Sequence, residues 1–529
     1  MPRFIPYNYQ QDTMVVINFE DQILPGTFEH ALHFLIEHKL DLKAFHAAYK
    51  NTHEGRPAID PAILLKIILF AYSRGITSSR HIQWCCQSNI IFKALSCDTS
   101  PDFTTIAAFV SGHASAIADL FEQIVLICHQ QGLIGHDLIA IDGCKLPSNA
   151  AKEWSGTLDE LTNKRGTLKE RIARKLDEHQ VNDKLPSCKQ TQVRQRKLER
   201  TLQTLTAAHD KVAEFLGTAE PRQGQGTKRQ EVKRNITDNE SCKMKTSKGT
   251  VQGYNAIASV DSKYQIIIDA EAIGEGQEHH ALIPVLERIS ARYQRLGFSQ
   301  AIYDDGSIVT ADTGYSNKSN LAYLHDNGID SYVPDHQLRQ RDPAFAEQKN
   351  KHKEKKPNKA NENRLFSADD FHVDIKQQRC ECPAGNSLTL IGNDKDQHGN
   401  HKLFFQGKLS QCRGCSLRSK CMRRPEAADN RNGHGRQVSF IVTPNTEKSE
   451  PVEWMKKRID SSLGKQIYEE RLAVVEPVFG NIRSNKRLDR FSLRGKEKVN
   501  GQWHLFSLVH NIEKISHYSN VSDNAMRTR

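Results

Sequence analysis

Four apolar residues, Leu138 to Ile141, run straight into Asp142-Gly143 and then into the polar stretch "CKLPSNAAKEW". A run this short between polar flanks reads as a buried strand over residues 138–142. A carboxylate at a strand end stands at the rim of a sheet, where chemistry is usually found. A core built on such strands is α/β, and the rest of the chain has to fit around it.

Period-two and apolar-run character returns at residues 251–274, "VQGYNAIASVDSKYQIIIDAEAIG", with Asp261-Ser262-Lys263 as the turn between two strands. "SIVTADTGY" reads as a strand carrying Asp312 near its end, and "IDSYVP" as another. "HHALIPVLERISARYQRLG" is an amphipathic helix despite Pro284, and "SNLAYLHDNG" is a helix stopped by Gly328. The order is β-β-β-α-β-α-β, with a charged helical segment, residues 157–217, inserted after the first strand. Within it Leu198, Leu202, Leu205, Val212 and Leu216 form a heptad-like stripe, with His209 at the missing seam position, and Pro186 splits the segment into a hairpin. Residues 222–234 read as a mobile connector.

Ahead of the core, residues 20–130 read as helical. Asp60-Pro61 is a cap followed by a first-turn proline. The helix that it opens, the turn at Gly75 and a second helix bearing Arg80 and His81 fit either a helix-turn-helix or a plain helical bundle. The expected division is a helical DNA-binding domain over 1–135, a core over 136–156 and 235–334, and the hairpin with its connector over 157–234. A polar and Cys-rich insertion follows over 335–450, then core helices over 451–529.

The formal charge of +11 favours a polyanionic partner such as nucleic acid. No apolar run approaches the roughly 20 residues that span a bilayer, and the N-terminus lacks a signal pattern, so a cytoplasmic protein is expected. Of twelve cysteines, five crowd into residues 380–421. Cys382, Cys412, Cys415 and Cys421, with Cys380 as an alternative first ligand, suggest a structural Zn²⁺, against a reading as buried or redox-inert thiols. His279 and His280 point different ways on a helix and read as cap or packing residues.

Three acids stand out: Asp142, Asp312 and Glu476, the last in "RLAVVEPVFGNIR" on a late helix. Singly each reads as a turn or cap carboxylate. Together, without an adjacent nucleophile–base pair, they suit hard cations, and two Mg²⁺ ions can clamp an in-line phosphoryl transfer.

"AIDGCKLPSNAAKEWSGT", "VQGYNAIASVDSKYQIIIDAEAIGEGQEHHALIP", "TADTGY", "VEPVFGNIRSNKRLDRFSLRGKEKV" and "LVHNIEKI" resemble bacterial insertion-sequence transposases of the DDE class, over roughly residues 20–515. The resemblance implies an RNase H-like mixed-sheet core whose triad falls on Asp142, Asp312 and Glu476. It implies two Mg²⁺ ions with Mn²⁺ as substitute, and terminal inverted repeats and target DNA as partners. It also implies a homo-oligomer, dimeric on DNA, associated with the nucleoid. Relatives carry a Tyr-Arg-Glu-Lys signature, matched here by Tyr468, Arg471, Glu476 and Arg483. The step from Arg471 to Glu476 is one residue longer than in that signature, arginine replaces lysine, and Pro477 is expected to kink the helix. Lys486, Arg487, Arg490, Arg494, Lys496 and Lys498, with Phe491, read as phosphate contacts or as a solvated face. A metal-dependent nuclease that does not join ends, and a non-catalytic DNA-binding derivative, are the competing readings.

Overall fold

In a computed structural model the apolar run opens a longer strand than its pattern suggests: β1 is Leu138–Pro147. The structure describes residues 16–49, 57–184, 186, 188–224, 231–246, 249–298, 306–343, 365–375, 377–395, 401–430, 432–442 and 450–519. After β1 come β2 (Cys242–Thr246), β3 (Gly249–Asp261), β4 (Ile267–Ile273), β5 (Ile308–Ala311) and β6 (Ser331–Tyr332). They form one mixed sheet ordered β2-β3-β1-β5-β6, with β4 also paired to β3. β1 runs antiparallel to β3 and parallel to β5, and β5 runs parallel to β6. β2 is a strand the pattern did not suggest. In it buried Cys242 and Met244 alternate with exposed Lys243 and Lys245, which is too short and too charged to stand out.

β4 lies at the sheet edge, where unpaired backbone groups invite pairing with another chain. The helix Lys496–Tyr518 covers that edge with side chains. Asn511 accepts from Ile267 N at 2.9 Å and donates to Ile267 O at 2.8 Å, and Asn500 does the same for Ala272 at 2.8 and 3.1 Å. His504 Nε2 donates to Ala270 O at 2.9 Å, and His510 Nε2 to Gln265 O at 2.8 Å. The other side of this helix packs on the N-terminal helices Phe28–His38, Pro61–Ser73, Phe103–Gly112 and Ala114–Gln130, with the rings of Tyr72 and Phe506 stacked at 4.7 Å. The helical block expected as a separate domain over residues 1–135 is therefore part of one compact unit, Met1–Asp335 with Trp454–Arg529, because a single helix buries both. No single described helix is long and apolar enough to cross a membrane.

The inserted hairpin is Leu158–Asp183 and Lys189–Thr218. Leu161, Leu168 and Val212 are buried between its arms, with Leu205, Ala208, Phe215 and Leu216 around them. The connector is tied at its ends: Gln223 bridges Glu231, and Arg234–Asn235 pairs with Ser155–Gly156. Residues 225–230 between them lie outside the described residues. Pro284 falls in the first turn of Leu282–Arg295, where its missing N–H costs nothing. Pro477 does not break the helix Ser462–Gly480. The carbonyl of Ala473, four residues back, has no proline N–H to accept from, and Gln265 Nε2 donates to it at 3.1 Å. A π-helical turn, Asn481–Asn485, follows.

The second unit, His336–Glu453, is a five-stranded antiparallel sheet around Phe371, Cys380, Leu388, Leu403, Phe405 and Val438. Residues 344–364 of the polar stretch before it lie outside the described residues.

Burial lowers both His504 and His510 to about 4, and the hydrogen bonds they make suit neutral rings. A histidine depressed in the folded state is protonated first in the unfolded chain. Its contribution is complete above the unfolded value, near 6.5, and is lost as pH falls towards 4. Urea midpoints measured from pH 7.5 down to 4.5 should fall steadily below pH 6.5, with a ceiling of about 1.4 kcal/mol per pH unit per histidine. His504→Gln with His510→Gln should flatten that slope.

Candidate active site

β1 and β5 are in parallel register from Leu138–Ile308 to Ile141–Ala311. Asp142 and Asp312 are the next residue on each strand. Asp142 is thus not the end of its strand, as the sequence suggested, but the point where β5 turns away into Thr313–Tyr315 while β1 continues along β3. Parallel pairing alone puts the two carboxylates side by side.

Helix Ser462–Gly480 crosses this point. Arg471, 4 % exposed, places Nη1 2.9 Å from Asp142 Oδ2 and Nη2 3.7 Å from Asp312 Oδ1. The Tyr468 hydroxyl donates to Asp312 Oδ1 at 3.4 Å, and the Arg471 guanidinium lies 5.4 Å from the Tyr468 ring. Asp142 Oδ1 accepts the Gly143 N–H at 2.8 Å. Burial pushes the Asp142 carboxyl up, Arg471 and the Gly143 amide pull it back, and the Asp312 charge adds to the rise.

Glu476 is exposed on the same helix. Five residues beyond Arg471 it is turned away by about 140°, whereas a step of four would leave about 40°. Among the described residues no three His, Cys, Asp or Glu side chains stand at metal-ligand spacing, so the expected triad is not gathered. Arg483 is exposed in the π-helical turn, and its charge lowers the Cys144 thiol, two residues beyond Asp142, against the stronger rise from burial. Lys486 does not face solvent: it is 4 % exposed, ion-paired with Glu513, and donates to Ser73 O at 3.4 Å. Phe491 is a core residue packed against Tyr254. Arg490 and Arg494 are exposed and brace the chain after β1 through Ser148 O and Asn149 O, at 3.0 and 2.7 Å. Lys496 pairs with Glu271 at 2.9 Å. Arg80 lies on another element, the helix Ser79–Ser88, stacked on Phe103 at 4.7 Å. On that helix Trp84 is 58 % exposed, its ring 5.6 Å from His81.

Three residues at the site were not singled out from the sequence. Glu278 comes from the loop between β4 and helix Leu282–Arg295, and Asn255 Nδ2 on β3 donates to its Oε1 at 2.9 Å. A Cβ on Gly143 would stand 3.0 Å from Glu278 Oε1, and one on Gly314 2.6 Å from Oε2. The carboxylate thus fills the space over the two glycines that follow Asp142 and Asp312. The loop is pinned by His279, whose carbonyl accepts from Asn317 and Asn320. Tyr315 is fully buried, and its phenol is raised by burial and then by Glu278, Asp142 and Asp312. The only trace in the sequence was glycine placed one and two residues after the acids. These acids do not stand at metal-ligand spacing in this arrangement, but their oxygens, with Tyr315 Oη and Asn255 Oδ1 buried and unpartnered, are of the donor type that a hard divalent cation takes.

Residues 381–516 match the family model of a transposase DDE domain, and residues 17–112 match the transposase domain DUF772. This pair of domain models is typical of bacterial insertion-sequence transposases. No curated protein matches the chain. A transposase acts on DNA, and DDE domains in general work on phosphodiesters with divalent metal ions.

The DDE match takes in the cysteine segment from Cys382 onward. Cys380 is fully buried among the sheet's apolar side chains, where burial lifts its thiol to about 11, and it does not line the cleft of the other four. Cys382, Cys412, Cys415 and Cys421 instead line one cleft. At Cys382 the chain turns so that Asn386 N donates to Sγ at 3.4 Å and Gly385 N to Cys382 O at 2.8 Å. A Cβ on Gly435 would stand 2.6 Å from Cys412 Sγ. One backbone amide reaches Cys382 Sγ, burial raises the Cys421 thiol, and the four sulfurs do not stand at metal-ligand spacing in this arrangement, but four thiols on one cleft are the donor type of a soft structural ion.

Arg471 neutralises two carboxylates from a nearly buried position. Arg471→Met should lower unfolding free energy by about 2 kcal/mol, below the full cost of breaking a buried pair because Asp312 is 43 % exposed. Added Mg²⁺ should restore part of the loss, read as a rise in melting temperature larger than in the parent chain.

Proposed function

We propose that the protein is an active transposase that cuts the ends of its own element and joins them to target DNA. An RNase H-like core would carry Asp142, Asp312 and Glu476 as metal-binding acids. The observation that carries this reading is the register that sets Asp142 and Asp312 side by side under Arg471 and Tyr468. The antiparallel β1–β3–β4 half and the parallel β1–β5–β6 half of the sheet are consistent with that core.

Two Mg²⁺ ions, with Mn²⁺ as substitute, would supply charge neutralisation at the scissile phosphate and a more acidic nucleophile. Asp142 and Asp312 would hold them from two adjacent strands. Tyr468 orients Asp312, and Arg471 balances the carboxylates and then faces the phosphate. Glu476 reaches this set if the helix rewinds by one residue between Arg471 and Glu476, which turns it about 100° towards the Arg471 side. Arg483, Arg490 and Arg494 offer charge to the DNA backbone along the same side of β1. Arg80, His81 and the exposed Trp84 give the N-terminal helices a surface suited to recognising element ends. Cys382, Cys412, Cys415 and Cys421 would hold one structural Zn²⁺ that staples the second unit.

The deciding experiment incubates the full chain and Mg²⁺ with supercoiled DNA carrying the element's ends, scoring cleavage and joining separately. Cleavage without joining selects a nuclease. Binding without either selects a non-catalytic DNA-binding protein. Asp142→Asn and Asp312→Asn should each reduce both steps by about a thousandfold or more, with DNA affinity preserved. Glu476→Gln should fail equally; a rate like that of the parent chain removes Glu476 from the set.

Elemental analysis of protein purified without chelator should find one zinc per chain. Cys412→Ser with Cys415→Ser should abolish it, and zinc-free parent protein would remove the proposal.

A further inference from the structure

Glu278 is unused by the reading above, yet its carboxylate fills the space over the glycines that follow the two acids. Its Oε1 lies over Gly143 and its Oε2 over Gly314, at 3.0 and 2.6 Å from where a Cβ would be. Any side chain at either glycine would displace it. Asn255, fully buried on β3, holds Oε1 through Nδ2 and leaves Oε2 towards Gly314. The loop cannot drift, because Asn317 and Asn320 clamp the His279 carbonyl beside it.

Two independent atoms call for a ligand here. Tyr315 Oη and Asn255 Oδ1 are both on fully buried side chains, and neither has a hydrogen-bond partner. Tyr315 feels all three carboxylates, Glu278 foremost. An orphaned buried oxygen costs about 1–3 kcal/mol, and these two beside the same acids would both be satisfied by a hydrated ion. Asp142, Asp312, Glu278, Asn255 and Tyr315 surround these glycines without standing at ligand spacing in this arrangement, and none of them is a donor of the kind that zinc or copper prefers.

We propose that Glu278 is a metal-site carboxylate of this protein, sharing a divalent cation with Asp142 and Asp312 and held in place by Asn255. The assignment rests on the metal-dependent reading above and changes its composition: the third buried acid comes from the loop after β4, independently of Glu476. A divalent ion would take over the neutralisation that Arg471 now provides, leaving the guanidinium for DNA phosphate. Tyr315 Oη and Asn255 Oδ1 would complete hydrogen bonds to the ion's retained waters.

The test is Mn²⁺ binding to the full chain without DNA, followed by calorimetry and by the loss of the free-ion paramagnetic signal. Glu278→Gln keeps the size and the acceptor for Asn255 Nδ2. It should weaken Mn²⁺ by about tenfold or more, as Asp142→Asn does, with the metal-free melting temperature unchanged. Glu278→Asp, which keeps the charge but shortens the reach, should also bind more weakly than the parent chain. Parent-like Mn²⁺ affinity in Glu278→Gln, alongside lost affinity in Asp142→Asn, overturns the assignment and leaves the metal-dependent reading standing. A parent chain that binds no Mn²⁺ overturns both. If both Glu278 variants fail to fold, Glu278 is a structural residue and the assignment falls.

Discussion

The open side of β4 is the constraint on which the molecule turns. A strand at a sheet edge needs partners for its outward amides and carbonyls, and here a helix supplies them through Asn500, His504, His510 and Asn511. Side chains on a helix can satisfy a strand only when the helix is locked against it. Packing on the N-terminal helices provides that lock, with Phe506 on Tyr72 and Phe121 against His504. The same helix reaches the active-site side through Glu513, which fixes Lys486 and Asn481. Sheet, N-terminal block and the segment after the Arg471 helix are therefore one structure, although each looks separable in the sequence.

The active site follows from a second economy. Parallel strands that stop pairing at the same level present their next residues together, so two acids 170 positions apart need no loop to bring them into contact. Crowding carboxylates has a cost, visible in the upward pressure on Asp142, Glu278 and Tyr315, each led by burial. Arg471 offsets part of it from a position 4 % exposed. The site thus sets one guanidinium against several acids.

Much of this was legible beforehand, and what escaped did so for physical reasons. Apolar runs ending in Asp marked β1 and β5 because buried strands and turn acids have strong local signatures. Tyr468 and Arg471 were legible by motif, and both reach the acids. Lys486 misled because a lysine in a basic run looks solvated, while its partner Glu513 lies 27 positions on. Phe491 misled similarly, since its burial depends on Tyr254 in β3. Glu278 and Asn255 carry no pattern of their own and become visible only when two glycines bring the backbone close enough to receive a carboxylate. Pro477 looked like a kink, but a glutamine from the β3–β4 turn supplies the missing donor.

The covered edge has a further consequence for how the chain is made. Residues Asn500 and Asn511 are translated after every strand of the sheet and after all the helices against which they pack. Until they leave the ribosome, a nascent chain carries β4 with bare amides and a vacant apolar trough beside Tyr72 and Phe121. Such an intermediate is prone to strand addition by a neighbour on the same polysome and is a natural client for chaperones. Termination before this helix is therefore expected to yield an aggregation-prone fragment rather than a smaller folded protein.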